Sequence, residues 1–331
     1  MKLIGNYAYA VARLHSIENK MPDLDAFFRM AGSGSIGDAL RQLSDFGYIF
    51  NSEEMTDSDD MLKTGMIKTI DLLKGLIEEH GYLRILLSKE DYHNLKVLSK
   101  AEALGVEHPD LLTEGGGFSS EELTELFKDR ALDKMSPIMK KAAENALETM
   151  SKTGDPQLMD VIYDRAYFEE AGQNAALLGN RFISGYLTLI IDLTNIRSYI
   201  RVRKASLGTG FLRKVIIPAG RIGPVVYEKS MEGHDDELIG ATRYSDIENI
   251  VLTGLGCLSG EAAFSEFEKT IDDLVIDYIK PCRYSAFGIE PVISHLIAKE
   301  MEIKNIRIIL SGIANGLDED IIKERLRKTY A

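Results

Sequence analysis

Cysteine is nearly absent from this 331-residue chain, and long uncharged runs are absent too. The two cysteines, Cys257 and Cys282, form at most one disulfide, which favours a reduced cytosolic protein over a disulfide-stabilised secreted one. The longest stretch without Asp, Glu, Lys or Arg covers 12 residues, 249–260, whereas a membrane-spanning helix needs about 20 mainly apolar residues. We therefore expect no spanning segment, and the early polar residues of the N-terminus predict no secretory signal.

Sequence patterns for metal, nucleotide and nucleophile chemistry are also missing. None of the six histidines has another histidine four residues away, and neither cysteine belongs to a Cys-x-x-Cys pair, so we expect no metal site. No P-loop and no Gly-x-Ser-x-Gly motif occurs. Residues 32–37 match Gly-x-Gly-x-x-Gly, but residues 23–30 before them have a helical pattern, whereas a dinucleotide site needs a strand there. The sequence predicts a turn between helices, no cofactor and no enzymatic activity; an active site assembled from distant residues is the alternative.

Charge is unevenly distributed along the chain. The chain has 39 Lys+Arg and 52 Asp+Glu, a net charge of −13, which argues against binding to nucleic acid. Between residues 193 and 227, however, there are seven cations and no acid, so the rest of the chain carries −20. Such a stretch can steer an acidic partner, or its cations can pair with acids from the other repeats. We predict that these seven residues bind a partner protein: Arg197, Arg201, Arg203, Lys204, Arg213, Lys214 and Arg221.

Helical patterns dominate the sequence and predict an all-α fold. Serine or aspartate ahead of an apolar periodic run or of proline indicates helix starts near Ser88, Ser119, Ser136 and Asp155. Two short β-rich runs, residues 215–217 and 225–227, lie next to prolines. They predict a loop or a small ribbon.

An internal repeat is the strongest organisational signal. The pattern acid-x-x-Asn-aliphatic-cation, which we call the motif, occurs at residues 91–96, 192–197 and 302–307. Its asparagines, Asn94, Asn195 and Asn305, lie 101 and 110 residues apart. A glycine-containing segment, residues 115–118 or 219–222, precedes the second and the third copy by similar distances. These intervals predict three helical domains, at residues 1–112, 113–208 and 209–331.

The motif itself indicates a structural role. Its acid and its asparagine lie three residues apart and so share one helix face, whereas the cation points elsewhere. Apolar residues surround the second copy, so its helix should be largely buried, and a buried asparagine needs hydrogen-bond partners. We interpret the three asparagines as residues that fix helix contacts within each repeat, not as ligands.

Several of these segments resemble a known family. Residues 288–310, followed by residues 315–317 and a helix that includes residues 324–326, are similar to the C-terminal signature of the C subunit of V-type and A-type rotary ATPases, the counterpart of the d subunit of eukaryotic V-ATPases. Residues 6–13 and 192–197 also match that family, so the resemblance covers the whole chain. Two positions depart from it, because the family often has proline at Ile289 and a cation near Ile313.

The resemblance implies both an architecture and a function. The architecture is a funnel of three similar all-helical domains with pseudo-threefold symmetry. The function is a non-catalytic place in the rotor, where the chain couples the D and F subunits of the central stalk to the proteolipid ring and transmits torque for proton or sodium-ion transport. The chain is then a peripheral component on the cytoplasmic side that contacts the membrane only through its partners. The choice of ion, and of ATP synthesis or hydrolysis, is left open by the sequence.

Two other functions compete with this one. The first is a generic helical scaffold of another assembly, whose repeat is merely similar to the family. The second is a nucleotide-dependent enzyme built around residues 32–37.

Overall fold

A computed structural model describes residues 7–48 and 58–331 and shows an all-helical protein. Within these ranges the chain forms sixteen α-helices and no strand. The helices are α1 (Ala8–Glu18), α2 (Leu24–Ala31), α3 (Ile36–Ser44), α4 (Ser58–Leu76), α5 (Gly81–Leu104), α6 (Ser120–Lys128), α7 (Pro137–Thr153), α8 (Pro156–Leu178), α9 (Arg181–Lys204), α10 (Thr209–Val215), α11 (Pro224–Met231), α12 (Asp235–Thr242), α13 (Glu248–Ser259), α14 (Phe264–Ile279), α15 (Glu290–Ala314) and α16 (Glu319–Arg325). Three short 3₁₀ turns, Pro109–Leu111, Leu132–Lys134 and Lys280–Tyr284, lie between them.

Several helix starts follow the local chemistry of the sequence. The side chains of Ser119, Ser136 and Asp155 each accept a backbone N–H from the first turn of α6, α7 and α8, which satisfies a donor that the helix itself leaves free. Gly154 ends α7 with a φ of 65°, a left-handed conformation that favours glycine. Residues 32–35 form the predicted turn between α2 and α3, and Ser35 caps α3.

Two local predictions are wrong. Ser88 does not start a helix, because α5 begins at Gly81 and the Ser88 hydroxyl donates to the carbonyl of Ile85 inside it. Residues 225–227 are not a ribbon, since Pro224 occupies the first turn of α11, where its missing N–H costs nothing. The side chain of Tyr227 on α11 is fully buried, so tertiary packing overrides the β-preference of residues 225–227.

The chain forms two compact units. The first unit comprises Met1–Glu78 and Thr242–Ala331, and the second comprises Glu79–Ala241. The second unit contains the first two copies of the motif, on α5 and α9, whereas the first unit contains the third copy, on α15. The boundaries after residues 112 and 208 stay a prediction from the repeat.

Each unit has its own apolar core. In the first unit α15 packs against α1, α2, α3, α4, α14 and α16, and its buried Ile303, Ile306 and Ile309 belong to a cluster that also includes Phe27 and Leu43. In the second unit α5, α6, α7 and α8 enclose a cluster that is rich in leucine, methionine, tyrosine and alanine. The central helices α5, α9 and α15 therefore carry the motif copies in largely buried settings.

Candidate functional site

The three motif asparagines make the same pair of backbone hydrogen bonds. Asn94 accepts the N–H of Thr113 at 2.8 Å and donates to its carbonyl at 2.8 Å. Asn195 does the same with Ile217, at 2.8 Å for both bonds. Asn305 does so with Arg327, at 2.8 and 3.1 Å. Each amide thus satisfies both polar groups of one backbone residue, 19 to 22 positions further along the chain. We expected a neighbouring helix as the partner; the partner is a non-helical backbone segment.

The motif acids extend this contact in the second unit. The carboxylate of Asp91 accepts the N–H groups of Gly117 and Phe118 at 2.9 and 3.1 Å. The carboxylate of Asp192 accepts the N–H groups of Arg221 and Ile222 at 2.8 and 3.4 Å. We call each set of bonds a joint: the first joint holds residues 113–118 on α5, and the second joint holds residues 217–222 on α9. Every residue of the second joint that bonds the motif lies 104 positions after its counterpart in the first.

The glycines in these segments have a steric reason. A Cβ on Gly116 would lie 2.2 Å from the Asp91 carboxylate, and a Cβ on Gly220 would lie 2.4 Å from the Asp192 carboxylate. Any side chain there would displace a carboxylate that is held by backbone hydrogen bonds. Glycine is therefore what allows each segment to approach its helix this closely.

The third copy of the motif departs from the other two. Its acid, Glu302, binds the Tyr48 hydroxyl at 2.6 Å and the Lys299 ammonium at 2.5 Å. The carboxylate that accompanies Asn305 comes instead from α14, where Asp272 accepts the Arg327 guanidinium at 2.9 Å. The asparagine contact is common to all three copies, while the acid contact is common to two.

The first joint contains a perturbed carboxyl group. Burial raises the pKa of Asp91 to about 6, although the N–H groups of Gly117 and Phe118 and the charge of Arg84 act in the opposite direction. Desolvation disfavours the charged form, whereas bonds to that form favour it. Desolvation is the larger effect here.

The predicted cationic stretch lies entirely in the second unit, and its members differ in their surroundings. Arg203 pairs with Asp235 at 2.5 Å, Arg213 with Glu228 at 2.7 Å, and Arg221 with Asp192 at 2.6 Å. Arg203 also bonds the Tyr199 hydroxyl at 2.7 Å. Arg203 and Arg221 pair with acids of another predicted repeat, as in the alternative that we kept open, whereas Arg213 pairs with an acid of its own predicted repeat.

The remaining four cations differ in their exposure and in whether they line a groove. Arg201, Lys204 and Lys214 are exposed, and Arg197 is half-buried. Arg197 and Arg201 lie one helical turn apart on α9 and line the same groove. Lys204 and Lys214 do not line it.

The groove that Arg197 and Arg201 line, which we call the basic groove, has a volume of about 340 Å³. Side chains of α5, α8 and α9 form its walls, and the cations besides the two arginines are Lys89 and Lys96 of α5. Its other lining residues are Tyr92, His93, Asp164, Tyr167, Phe168, Thr194 and Ser198. The α5 members were missed from the sequence, because they precede the cationic stretch by about a hundred residues. One signal pointed to them: Lys96 and Arg197 are the cation positions of the first two motif copies.

The first unit contains a separate polar cavity of about 520 Å³ between α1, α4, α15 and the end of α3. Its lining includes Arg13, Lys20, Lys68 and Lys299 together with the carboxylate of Glu302. Across the described ranges, no three His, Cys, Asp or Glu side chains are placed to hold a metal ion. No helix within those ranges is both long and apolar enough to cross a bilayer.

Comparison with known proteins gives consistent matches. The family model described as ATP synthase (C/AC39) subunit matches residues 10–325. The C subunit of the V-type sodium ATPase of Enterococcus hirae is 26% identical over 312 residues, which cover 92% of this chain and 93% of that protein. The C subunit of the A-type ATP synthase of Methanocaldococcus jannaschii is 23% identical, over 98% of this chain and 86% of that protein. The C subunit of the V-type ATP synthase of Thermus thermophilus is 21% identical, over 98% and 99%.

Proposed function

The chain belongs to the ATP synthase (C/AC39) subunit family, and we propose that it is the non-catalytic central-stalk component, the C subunit, of a V-type or A-type rotary ATPase. In this role it couples the D and F subunits of the stalk to the membrane proteolipid ring and transmits torque for proton or sodium-ion transport. The observation that carries the proposal is the family match over residues 10–325. Relatives that bear the name of this C subunit, similar over more than nine-tenths of this chain, support it.

The packing of the chain suits a part that transmits force. Close-packed protein interiors have low compressibility and transmit strain, and both units are built from packed helices. The joints stiffen the non-helical segments 113–118 and 217–222, because they bond these segments to the central helices α5 and α9. A loop held at four backbone groups opens less readily than one held by its ends alone.

The glycine sequence at residues 32–37 gives little support to the enzyme alternative. It lies between two helices, α2 and α3, whereas the dinucleotide mechanism places a strand before the glycines. A phosphate site would need free donors at the start of α3. The Asp38 N–H there already donates to the Ser35 hydroxyl oxygen. A turn between helices accounts for these residues.

The proposed partners, the peripheral place on the cytoplasmic side and the funnel of three domains follow from the resemblance and stay predictions. A pull-down from detergent-solubilised membranes with the tagged full chain tests them. Co-purification of the ATPase head, of the D and F subunits and of the proteolipid is the expected result. Recovery of a different assembly would overturn the proposal in favour of a generic scaffold.

A thermal-shift measurement distinguishes the nucleotide-dependent enzyme from the proposed non-catalytic subunit. A ligand that binds only the folded state stabilises it by RT ln(1 + [L]/Kd). We expect NAD, NADP and ATP to leave the melting temperature unchanged even at high concentration. A shift that Ser35→Ala abolishes would instead favour a nucleotide site at residues 32–37.

A further inference from the structure

We propose that the polar cavity of the first unit binds an extended acidic peptide segment of the D and F stalk subunits, with carboxylates on Arg13, Lys20 and Lys68. This inference rests on the proposed function, since it takes the stalk as the source of the segment. The polar cavity lies in a different unit from the cationic stretch that the sequence singled out.

The polar cavity follows one face of each of two helices. Its lining residues on α1 and on the turn after it are Arg13, Ser16, Ile17 and Lys20. Those on α4 are Met61, Thr64, Gly65, Lys68, Thr69 and Leu72. Positions three and four apart lie on the same side of a helix, and at about 1.5 Å per residue the rise from Met61 to Leu72 is about 16 Å. This elongated shape suits an extended peptide.

Three cations of the polar cavity are uncompensated. The side chains of Arg13, Lys20 and Lys68 are exposed. They form no ion pair and no hydrogen bond with any residue in the ranges 7–48 and 58–331. Arg13 and Lys20 belong to one wall and Lys68 to the other, so a segment that lies between the walls has cations on both sides.

The acids of the polar cavity do not balance these charges. Glu302 is already paired with Lys299, at 2.5 Å. Asp45 is the one other carboxylate among the lining residues that the structure describes, which leaves an excess of two positive charges. The first unit as a whole has 19 Lys+Arg and 27 Asp+Glu, a net charge of −8. Because a cleft with an excess of one sign raises the local concentration of the opposite charge, this local reversal favours an acidic ligand.

The helix ends at the polar cavity do not turn it into a cation site. Both α1 and α3 contribute their C-terminal ends, where free carbonyl groups would attract positive charge. The carbonyls of Ile17 and Ser44 instead accept the N–H groups of Lys20 and Gly47 in the turns that follow. The excess of cationic side chains therefore decides the sign of the ligand.

The walls of the polar cavity favour a peptide over a phosphate compound. Phosphate sites characteristically use backbone N–H groups at helix N-termini, whereas α1 and α3 contribute their opposite ends. The lining also includes the half-buried apolar side chains of Ile17, Phe46 and Leu72. Ligand sites combine apolar surface with a few placed polar groups, and a peptide supplies carboxylates and apolar side chains together.

The floor of the polar cavity is held in place without the three unpaired cations. The Tyr48 hydroxyl donates to Glu302 at 2.6 Å, and the Lys299 ammonium lies 4.2 Å from the centre of the Tyr48 ring. On the same helix, His295 Nδ1 lies 3.1 Å from the carboxylate of Glu18 on α1. These contacts connect α15 to α1 and to the end of α3, and a site ordered in advance reduces the ordering cost of binding.

Charge reversal in the full-length protein tests the proposal. The variant Arg13→Glu/Lys68→Glu should bind the purified D and F subunits at least about tenfold more weakly, because each reversal replaces an attraction by a repulsion. The control Arg29→Glu/Arg243→Glu makes the same change of net charge at two exposed positions of the first unit outside the polar cavity. This control should bind like the wild type. Wild-type binding should also weaken more steeply with salt than binding by the reversal variant.

Conservative variants guard against misfolding as an explanation. Arg13→Lys/Lys68→Arg keeps both charges and should retain most of the affinity, while the single variant Lys68→Gln should lose part of it. Circular dichroism and melting temperature should be unchanged in all variants. Equal affinity of the reversal variant and the control would overturn the inference and leave the proposed function standing.

Three further outcomes would also overturn the inference. If the wild type itself does not bind the D and F subunits, the proposed function fails together with it. If inorganic triphosphate stabilises the wild type but not the reversal variant, and this variant keeps its binding to the D and F subunits, the polar cavity is a phosphate site. If the reversal variant instead loses only its binding to the purified proteolipid ring, the polar cavity serves the other interface.

Discussion

Replacing the motif asparagines by alanine should reveal how much the asparagine bonds contribute to stability. Each Asn→Ala variant removes one bond to a backbone N–H and one to the carbonyl of the same residue. The three asparagines are equally buried, each at most 1% exposed. Their partners differ, because Ile217 is 4% and Arg327 is 7% exposed, whereas Thr113 is half-buried.

This difference in the partners decides the expected order. A buried donor or acceptor that loses its partner costs about 1–3 kcal/mol, so two such groups at Ile217 should cost about 2–6 kcal/mol in Asn195→Ala. Asn305→Ala should fall in the same range, at Arg327. Water can reach Thr113 more readily and replace part of the lost bonding, so Asn94→Ala should cost only about 1–2 kcal/mol.

Amide hydrogen exchange of the partner residue is the most direct assay, since it reports local opening even where global unfolding of two units is not two-state. Protection of the Ile217 and Arg327 amides should fall by more than that of Thr113. Urea unfolding should give the same order. The control is Asn145→Ala on the exposed face of α7, which should be neutral or slightly stabilising because alanine is the better helix former.

Two outcomes would refute this reasoning. If Asn94→Ala proved the most costly of the three, access of water to the partner would not be the deciding factor. If all three variants behaved like Asn145→Ala, the paired bonds to the backbone would contribute nothing measurable.

The first and second joints make two further predictions. Gly220→Ala should destabilise the chain by about 2–3 kcal/mol, the cost of an unmade bond to a charged group, because its Cβ would lie 2.4 Å from the Asp192 carboxylate. The matched control is Gly34→Ala, since the space around its Cβ is open. Equal melting temperatures for the two variants would count against the steric argument. Asp91 should titrate at about pH 6 in carboxyl NMR; since this folded pKa lies above the unfolded one, stability should fall as pH rises from about 4 to about 6, and Asp91→Asn should remove that slope.

Local signals in the sequence predicted the helix starts at Ser119, Ser136 and Asp155 and the turn at residues 32–35, because caps and prolines act on backbone groups nearby. The capping-box pattern gave a wrong helix start at Ser88. A serine followed by an acid three residues later also occurs inside helices, and Ser88 lies inside α5. Asp91 is that acid, and it serves the first joint instead of a cap. A short pattern cannot tell the two uses apart.

The repeat was visible in the sequence for a different reason. Few residue types other than asparagine can bind both the N–H and the carbonyl of one backbone residue. Only glycine fits where a backbone segment lies directly against a carboxylate. The basic groove was only half visible, because its members lie on three helices and only Arg197 and Arg201 belong to the charged stretch. Long-range assembly of this kind depends on packing, which a run of charges does not encode.

The geometry of the motif explains why one six-residue pattern can serve both the joint and the groove. Residues two apart on a helix point in nearly opposite directions, so the cation that follows Asn94 or Asn195 by two positions faces away from the joint. On α5 and α9 these cations are Lys96 and Arg197, and both line the basic groove. In the third copy the cation is Arg307, which pairs with Asp59 of α4 at 3.1 Å. The cations of the first two copies thus line one groove, whereas the third copy uses its cation to hold two helices of its own unit together.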